Sequence, residues 1–198
     1  NFGTLSQMKR DMMAEVAATL AFSTIANNDK VGVVFFSNKI EKYIPAQKGK
    51  THVLHIIREL LSFEPTSKGT DMAQALQYFA NAQKRHCTAF LISDFIGTGA
   101  VDKPLLIASN RHEVNAIQIY DRREAELPNI GLVKFHDAES NSNLWIDTSL
   151  ATIRNNYAQA WKQNQDSLEQ LFTRTGVKHV SVRTDEDYVK ALMHLFRC

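Results

Sequence analysis

Thr88-Ala89-Phe90-Leu91-Ile92-Ser93-Asp94 is the stretch that decides the fold, a short apolar run that ends at a carboxylate. Two runs of similar character, Val31–Phe36 and Glu113–Tyr120, lie on either side of it in the chain. Continuous runs of this kind, rich in β-branched and aromatic residues, are typical of strands that are covered on both faces. Amphipathic segments alternate with them. This alternation predicts an α/β fold: a doubly wound, mainly parallel sheet with helices on both faces.

The remaining segments complete this prediction. Apolar residues recur at steps of three and four, as in helices, over the segments Leu5–Asn28, Thr51–Ser62, Asp71–Lys84, Asp102–Asn110 and Ser149–Arg174. A last strand is predicted at Lys178–Val182, and a capping-box pattern at Thr184–Asp187 is expected to begin a final helix. Two short apolar pieces flank a polar run, which predicts an inserted β-hairpin near residues 130–147.

Composition indicates one ordinary globular domain over residues 1–198. Hydrophobic residues make up 44% of the chain and charged residues 22%, with a formal net charge of only +2. So small a charge, without a basic and aromatic cluster, argues against nucleic acid as a partner.

The location of the protein is predicted from cysteine usage and hydropathy. Cys87 and Cys198 form no Cys-x-x-Cys pair, and a reducing, cytoplasmic setting is the simpler interpretation. No apolar run approaches the length of a membrane helix, and no signal peptide is recognisable. Because the chain begins with Asn1 rather than Met, we interpret it as lacking upstream residues.

Two oxygen-bearing side chains stand where a ligand site is expected. Ligands of such sheets bind beyond the carboxyl ends of the strands. Asp94 directly follows a predicted core strand, and Thr70 precedes a predicted helix after a glycine-containing loop. A carboxylate and a hydroxyl suit Mg²⁺. The alternatives are that Thr70 is only a helix N-cap, and that Asp94 only caps a helix or solvates a loop.

Motifs of catalysis are scarce. The sequence has no nucleophile elbow, no Walker loop and no His-Glu-x-x-His pattern. Cys87 precedes an apolar strand and is interpreted as a small core residue rather than a nucleophile. Asp121, Glu124 and Glu126 form an acidic segment that is interpreted as a solvated loop, although it could border the same crevice as Asp94.

Several segments resemble the von Willebrand factor A-like bacterial family known as domain of unknown function 58. The resemblance covers nearly the whole chain, and its ending is similar to the version in Bacteroidetes. The matching segments are Asn1–Thr4, Asp29–Ser37, Gly69–Leu76, Leu91–Phe95, Tyr120–Gly131 and Asp137–Glu139.

This resemblance implies a metal-ion-dependent adhesion site with five ligands from three loops. Thr70 would be the threonine ligand and Asp94 the last aspartate. The remaining ligands belong to an Asp-x-Ser-x-Ser loop, which in the family ends immediately before the position of Asn1. The family's first strand would precede that loop, between Val31–Phe36 and Thr88–Ser93 in the sheet. This chain alone is therefore expected to bind Mg²⁺ weakly or not at all.

The implied function is recognition rather than catalysis: a protein-binding module, not an enzyme. Genes of this family often neighbour those of MoxR-type AAA+ ATPases, which makes such an ATPase the expected partner in assembly or chaperone-like work. Two alternatives are a metal-assisted hydrolase, with Asp121 as a loose candidate base, and a structural interaction domain without a working metal site.

Overall fold

A computed structural model describes residues 3–67, 69–97, 99–136 and 143–197 as a mixed α/β protein. Its helices are Gly3–Ala26 (α1), Lys50–Ser62 (α2), Met72–Ala82 (α3), Asp102–Arg111 (α4), Arg122–Ala125 (α5), Ala151–Thr175 (α6) and Tyr188–Arg197 (α7). Its strands are Val31–Phe36 (β1), Ile40–Gln47 (β2), Thr88–Ser93 (β3), Glu113–Tyr120 (β4), Leu132–His136 (β5), Asn143–Asp147 (β6) and Lys178–Arg183 (β7). The predicted mixture of helices and strands is confirmed.

The centre of the fold is a parallel sheet in the order β3-β4-β7. Ile117 of β4 lies opposite Ile92 of β3 and Val180 of β7. Because β4 has a neighbour on each side, it is buried along most of its length. The carboxyl ends of the three strands therefore meet at one edge of the sheet, as the parallel arrangement requires.

Helices cover both faces of this parallel sheet. On one face, Ala116 of β4 belongs to a buried cluster with residues of α3, α4 and α6. On the other face, Ile117 and Ile119 pack with Val16 of α1 and Leu195 of α7. Successive residues of β4 thus enter opposite cores, which explains why its sequence is a nearly unbroken apolar run.

The described strands do not form one continuous sheet, and the interruption lies between β1 and β3, where the resemblance places the family's first strand. β1 pairs with β2 in a separate antiparallel ribbon. Among the described strands, none pairs with the second edge of β1 or with the edge of β3 that faces away from β4. Gly32 allows the close approach of β1 to β2, since a Cβ atom there would lie 2.7 Å from the carbonyl oxygen of Ile44.

The predicted hairpin is confirmed, whereas the predicted start of the last helix is wrong. β5 and β6 form the expected antiparallel hairpin, and its connecting residues 137–142 lie outside the described residues. The last helix begins later than the predicted capping box, at Tyr188. Its first turn is capped instead by Asp187, whose carboxylate accepts a 3.0 Å hydrogen bond from the backbone N–H of Val189.

Candidate functional site

Asp94 lies directly after β3, at the carboxyl end of the parallel sheet, with a third of its side chain exposed. Its Oδ1 accepts a 3.2 Å hydrogen bond from the backbone N–H of Ile96, and its Oδ2 accepts one of 2.8 Å from Nζ of Lys9. The side-chain amide of Gln118, from β4, donates to its backbone carbonyl. Asp94 does not cap α4, whose N-cap residue is Val101, so the helix-capping alternative is wrong.

Lys9 of α1 is the cation of this site, and the sequence motifs did not identify it. Its Nζ also donates to Oε1 of Glu124 at 2.5 Å, and only 13% of its side chain is exposed. Burial by itself would lower the pKa of Lys9. Hydrogen bonding and attraction from Asp94, followed by those from Glu124, outweigh it and raise the pKa above its ordinary value. The ammonium is therefore held in its charged form.

The sequence predicted that the acidic segment after β4 is a solvated loop, and this prediction is wrong. Asp121 is buried and is the N-cap of α5, and Glu124 completes a reciprocal capping box with it. The second carboxylate oxygen of Asp121 accepts a 3.0 Å hydrogen bond from the hydroxyl of Thr184, which follows β7. Only Glu126 is largely exposed, in a surface ion pair with Arg122.

Thr70 lies exposed just before α3, but it is not the N-cap of that helix. The capping residue is Asp71, whose carboxylate accepts a 2.9 Å hydrogen bond from the backbone N–H of Gln74. The backbone N–H of Asp71 in turn donates to the carbonyl oxygen of Ser37, at the end of β1. The N-cap alternative for Thr70 is therefore wrong, and its loop is attached to the end of β1.

Glu41 of β2 holds the loop that precedes Thr70, another role that sequence reasoning missed. Its carboxylate accepts hydrogen bonds from the hydroxyls of Thr66 and Ser37, both within 2.7 Å, and from the backbone N–H groups of Thr66 and Ser67. The Thr66 and Ser37 hydrogen bonds, with attraction from Lys39, lower the pKa of Glu41 despite some desolvation.

The loops that carry Thr70 and Asp94 are both next to residues of one buried cluster. Met72 and Phe95 belong to the same buried cluster, and Phe36, at the end of β1, packs against it. Coordination of a cation by Thr70 and Asp94 together stays a prediction. Their oxygens are hard donors, which Mg²⁺ accepts, but it needs further oxygen ligands. Within the described ranges, no three or more histidine, cysteine or acidic side chains are grouped to hold a metal ion.

A second polar pair lies at the opposite end of the parallel sheet, where β3 and β4 begin. Sγ of Cys87 lies 3.6 Å from Nδ1 of the buried His112. Burial raises the pKa of the Cys87 thiol, and burial with the nearby His86 and Arg111 lowers that of His112. A neutral thiol is a poor nucleophile, so this pair has the character of core packing.

Two solved structures resemble this fold. BatB, a conserved hypothetical protein from Bacteroides thetaiotaomicron, superposes with a TM-score of 0.53 at 16% sequence identity, over 93% of this chain and 86% of that one. An aerotolerance-related membrane protein from Bacteroides fragilis superposes with a TM-score of 0.56 at 15% identity, over the same shares of the two chains. Identities this low relate the folds alone.

The predicted cytoplasmic location is corrected by this comparison, because the Bacteroides fragilis neighbour is named as a membrane protein. The prediction rested on cysteine spacing and on the lack of a long apolar run, and neither reports where a domain is attached. Among the described residues, no helix combines the length and apolar character needed to cross a bilayer.

Relatives in mycobacteria match most of this chain. Uncharacterized protein Mb1516 of Mycobacterium bovis is 30% identical over 193 residues, which are 96% of this chain and 60% of that protein. A Mycobacterium avium protein, also uncharacterized, is 28% identical over 78% of this chain and 92% of its own length. This chain thus spans about 60% of the length of Mb1516. The model of the family described as "Protein of unknown function DUF58" matches residues 1–167, and the chain therefore belongs to that family.

Proposed function

We propose that the chain is a von Willebrand factor A-like protein-binding module, and not an enzyme. Its partner would dock at the carboxyl end of the β3-β4-β7 sheet. The observation that supports this proposal is the partly exposed carboxylate of Asp94, which the backbone N–H of Ile96 and Nζ of Lys9 hold in place at that end of the sheet. A fixed carboxylate at a strand end suits recognition, because it loses little freedom when a partner binds.

A divalent cation, Mg²⁺ by preference, would be held by Thr70 and Asp94 with oxygen ligands from residues upstream of Asn1. We propose that an Asp-x-Ser-x-Ser loop supplies them. Bound there with one open coordination position, the ion would accept a carboxylate from the partner. The proposed partner is a MoxR-type AAA+ ATPase, in assembly or chaperone-like work.

The residues upstream of Asn1 would also complete the sheet. Among the described strands, β1 and β3 each have one edge without a partner, and branched side chains of both strands are only partly buried. We propose that one upstream strand lies between them and ends in the metal loop. Such a strand would join the two sheets. It would also bring further ligands to the carboxyl end of the sheet, where Asp94 lies.

Hydrolysis is not supported by the residues around Asp94. The base that a metal-assisted hydrolase would need is Asp121, the candidate that the sequence offers. Its two carboxylate oxygens already accept hydrogen bonds, from the backbone N–H of Arg123 and from the hydroxyl of Thr184. A carboxylate engaged on both oxygens within a capping box is poorly placed to take a proton from water.

A metal-free interaction domain is the second candidate, because the cation beside Asp94 is the Lys9 ammonium. The test is capture of a purified MoxR-type ATPase from the same organism by the full-length protein, in Mg²⁺ and in EDTA. We expect Asp94→Asn to abolish Mg²⁺-dependent capture, whereas Asp166→Asn, on the exposed surface of α6, leaves it unchanged. Equal capture in Mg²⁺ and EDTA would favour the metal-free candidate, and no capture in either would reject the proposed partner.

A further inference from the structure

Lys9 occupies a position from which it can control cation binding at Asp94. Its ammonium lies between two carboxylates, one in the loop after β3 and one in α5, 2.8 Å from Oδ2 of Asp94 and 2.5 Å from Oε1 of Glu124. Few of its atoms reach solvent. A positive charge so enclosed is screened less by salt than a surface ion pair.

A divalent cation at Asp94 would compete with this ammonium for the same carboxylate. Both oxygens of Asp94 already accept hydrogen bonds, Oδ2 from Lys9 and Oδ1 from the backbone of Ile96. Because Mg²⁺ binds oxygen at about 2.1 Å, an ion on Oδ2 would lie within roughly 5 Å of an ammonium that stayed in place. Two positive charges that close in a partly buried site repel each other strongly.

Glu124 gives the ammonium a second partner. The carboxylate of Glu124 is itself fixed, because its other oxygen accepts a 3.0 Å hydrogen bond from the backbone N–H of Asp121. Lys9 can therefore leave Asp94 and keep one ion pair, which lowers the cost of its release. The ammonium of Lys9 thus has two possible positions: shared between Asp94 and Glu124, or paired with Glu124 alone.

We propose that Lys9 is an internal competitor for Asp94, which must release that carboxylate before a divalent cation binds. This inference rests on the proposed function, since it concerns the same site. Without metal, Lys9 keeps Asp94 neutralised and joins α1 to the loop after β3 and to α5. With metal, Lys9 pairs with Glu124 alone. Binding of the metal ion is thereby coupled to loss of the ion pair that attaches α1 to the loop after β3.

The first test is a titration of the full-length protein with Mn²⁺, followed by water-proton relaxation. Lys9→Met keeps the length of the side chain and removes its charge. We expect it to tighten Mn²⁺ binding by about tenfold or more, because the ion no longer has to displace the charge-assisted hydrogen bond between Lys9 and Asp94. The matched control is Lys42→Met, which removes the partly exposed ion pair between Lys42 and Glu59 and should leave the affinity unchanged.

A second measurement reports Lys9 directly. Amine-reactive labelling of Lys9, followed by peptide mass spectrometry, should be slow without metal and several times faster in saturating Mg²⁺. If Lys9→Met fails to fold, the comparison uses Lys9→Met with Glu124→Gln against Glu124→Gln alone, because the double variant removes one charge of each sign.

The outcomes separate this inference from the proposed function. If Lys9→Met binds Mn²⁺ no more tightly than the wild type while Asp94→Asn loses binding, the metal site stands and the competition is overturned. If neither the wild type nor Lys9→Met binds Mn²⁺, both are overturned. Tighter binding by Lys9→Met, lost again when Asp94→Asn is added, supports both.

Discussion

The hydroxyl of Thr184 donates a 3.0 Å hydrogen bond to Oδ2 of Asp121, and this bond joins the ends of β7 and β4. Asp121 also caps α5, so a single buried carboxylate holds the loops on one side of the candidate site. Glu124, the partner of Lys9, belongs to the same capping box. The arrangement of the candidate site therefore depends on Asp121, which is not itself one of the proposed ligands.

Asp121→Ala is expected to lower the free energy of unfolding by about 1–3 kcal/mol, since it removes an N-cap and leaves the Thr184 hydroxyl without its acceptor. Thr184→Val should cost about 1 kcal/mol. Urea denaturation followed by circular dichroism measures both. Asp166→Ala, at an exposed position, is the control; an equal loss in Asp121→Ala and this control would show that the capping box contributes nothing.

The stability that Glu41 contributes should depend on pH. Its folded-state pKa lies below its ordinary value of 4.5, because the hydroxyls of Thr66 and Ser37 stabilise the carboxylate. A carboxyl group with a lowered pKa stabilises the fold above its unfolded pKa, and this contribution is lost as the pH falls through the folded pKa. We therefore expect Glu41→Gln to be less stable than the wild type at pH 7.

That difference should shrink as the pH falls from about 5 towards 3, where the wild-type carboxylate takes up its proton. The urea midpoints of both proteins at several pH values measure it. Glu59→Gln serves as the comparison, because the lowered pKa of Glu59 arises first from Lys42 and not from a loop. A difference between wild type and Glu41→Gln that is constant over this range would contradict the assigned role.

Phe95 anchors the loop that carries Asp94. Its ring is 2% exposed and packs edge-on against Phe172, with 5.3 Å between the ring centroids. Phe95→Ala should lower the free energy of unfolding by about 3–5 kcal/mol, since it opens a cavity in the core. Phe22→Ala is the control, because Phe22 is 57% exposed and its loss should cost no more than about 0.5 kcal/mol.

Among the described strands, β1 and β3 each have one edge without a partner. This predicts a difference in hydrogen exchange between this chain and a longer parent protein that carries the proposed upstream strand. In the 198-residue chain, peptides that cover β1 and β3 should exchange faster than the peptide of β4, which has a neighbour on each side. In the parent protein, an upstream strand between them would slow exchange in β1 and β3 and leave β4 unchanged. Equal exchange of β1 and β3 in the two proteins would reject the proposed strand.

The amino-acid sequence by itself determined most of the elements. β3 and β4 have the predicted bounds, and the hairpin of β5 and β6 lies where its two apolar pieces and polar connection placed it. The reason is local: a run of branched and aromatic residues favours an extended strand, and alternation with amphipathic segments favours α/β packing. The position of Asp94 at a strand end follows from the same runs.

Only the tertiary structure decided which side chains meet. Lys9 and Asp94 are 85 residues apart in sequence, and Lys9 and Glu124 are 115 apart. Nothing in the periodicity of α1 distinguishes Lys9 from its other charged residues. The interruption of the sheet between β1 and β3 was predicted from the family resemblance alone, because apolar runs predict strands but not their neighbours. Long-range charge pairs and strand order depend on how helices and loops pack in three dimensions, and local preferences carry no record of that packing.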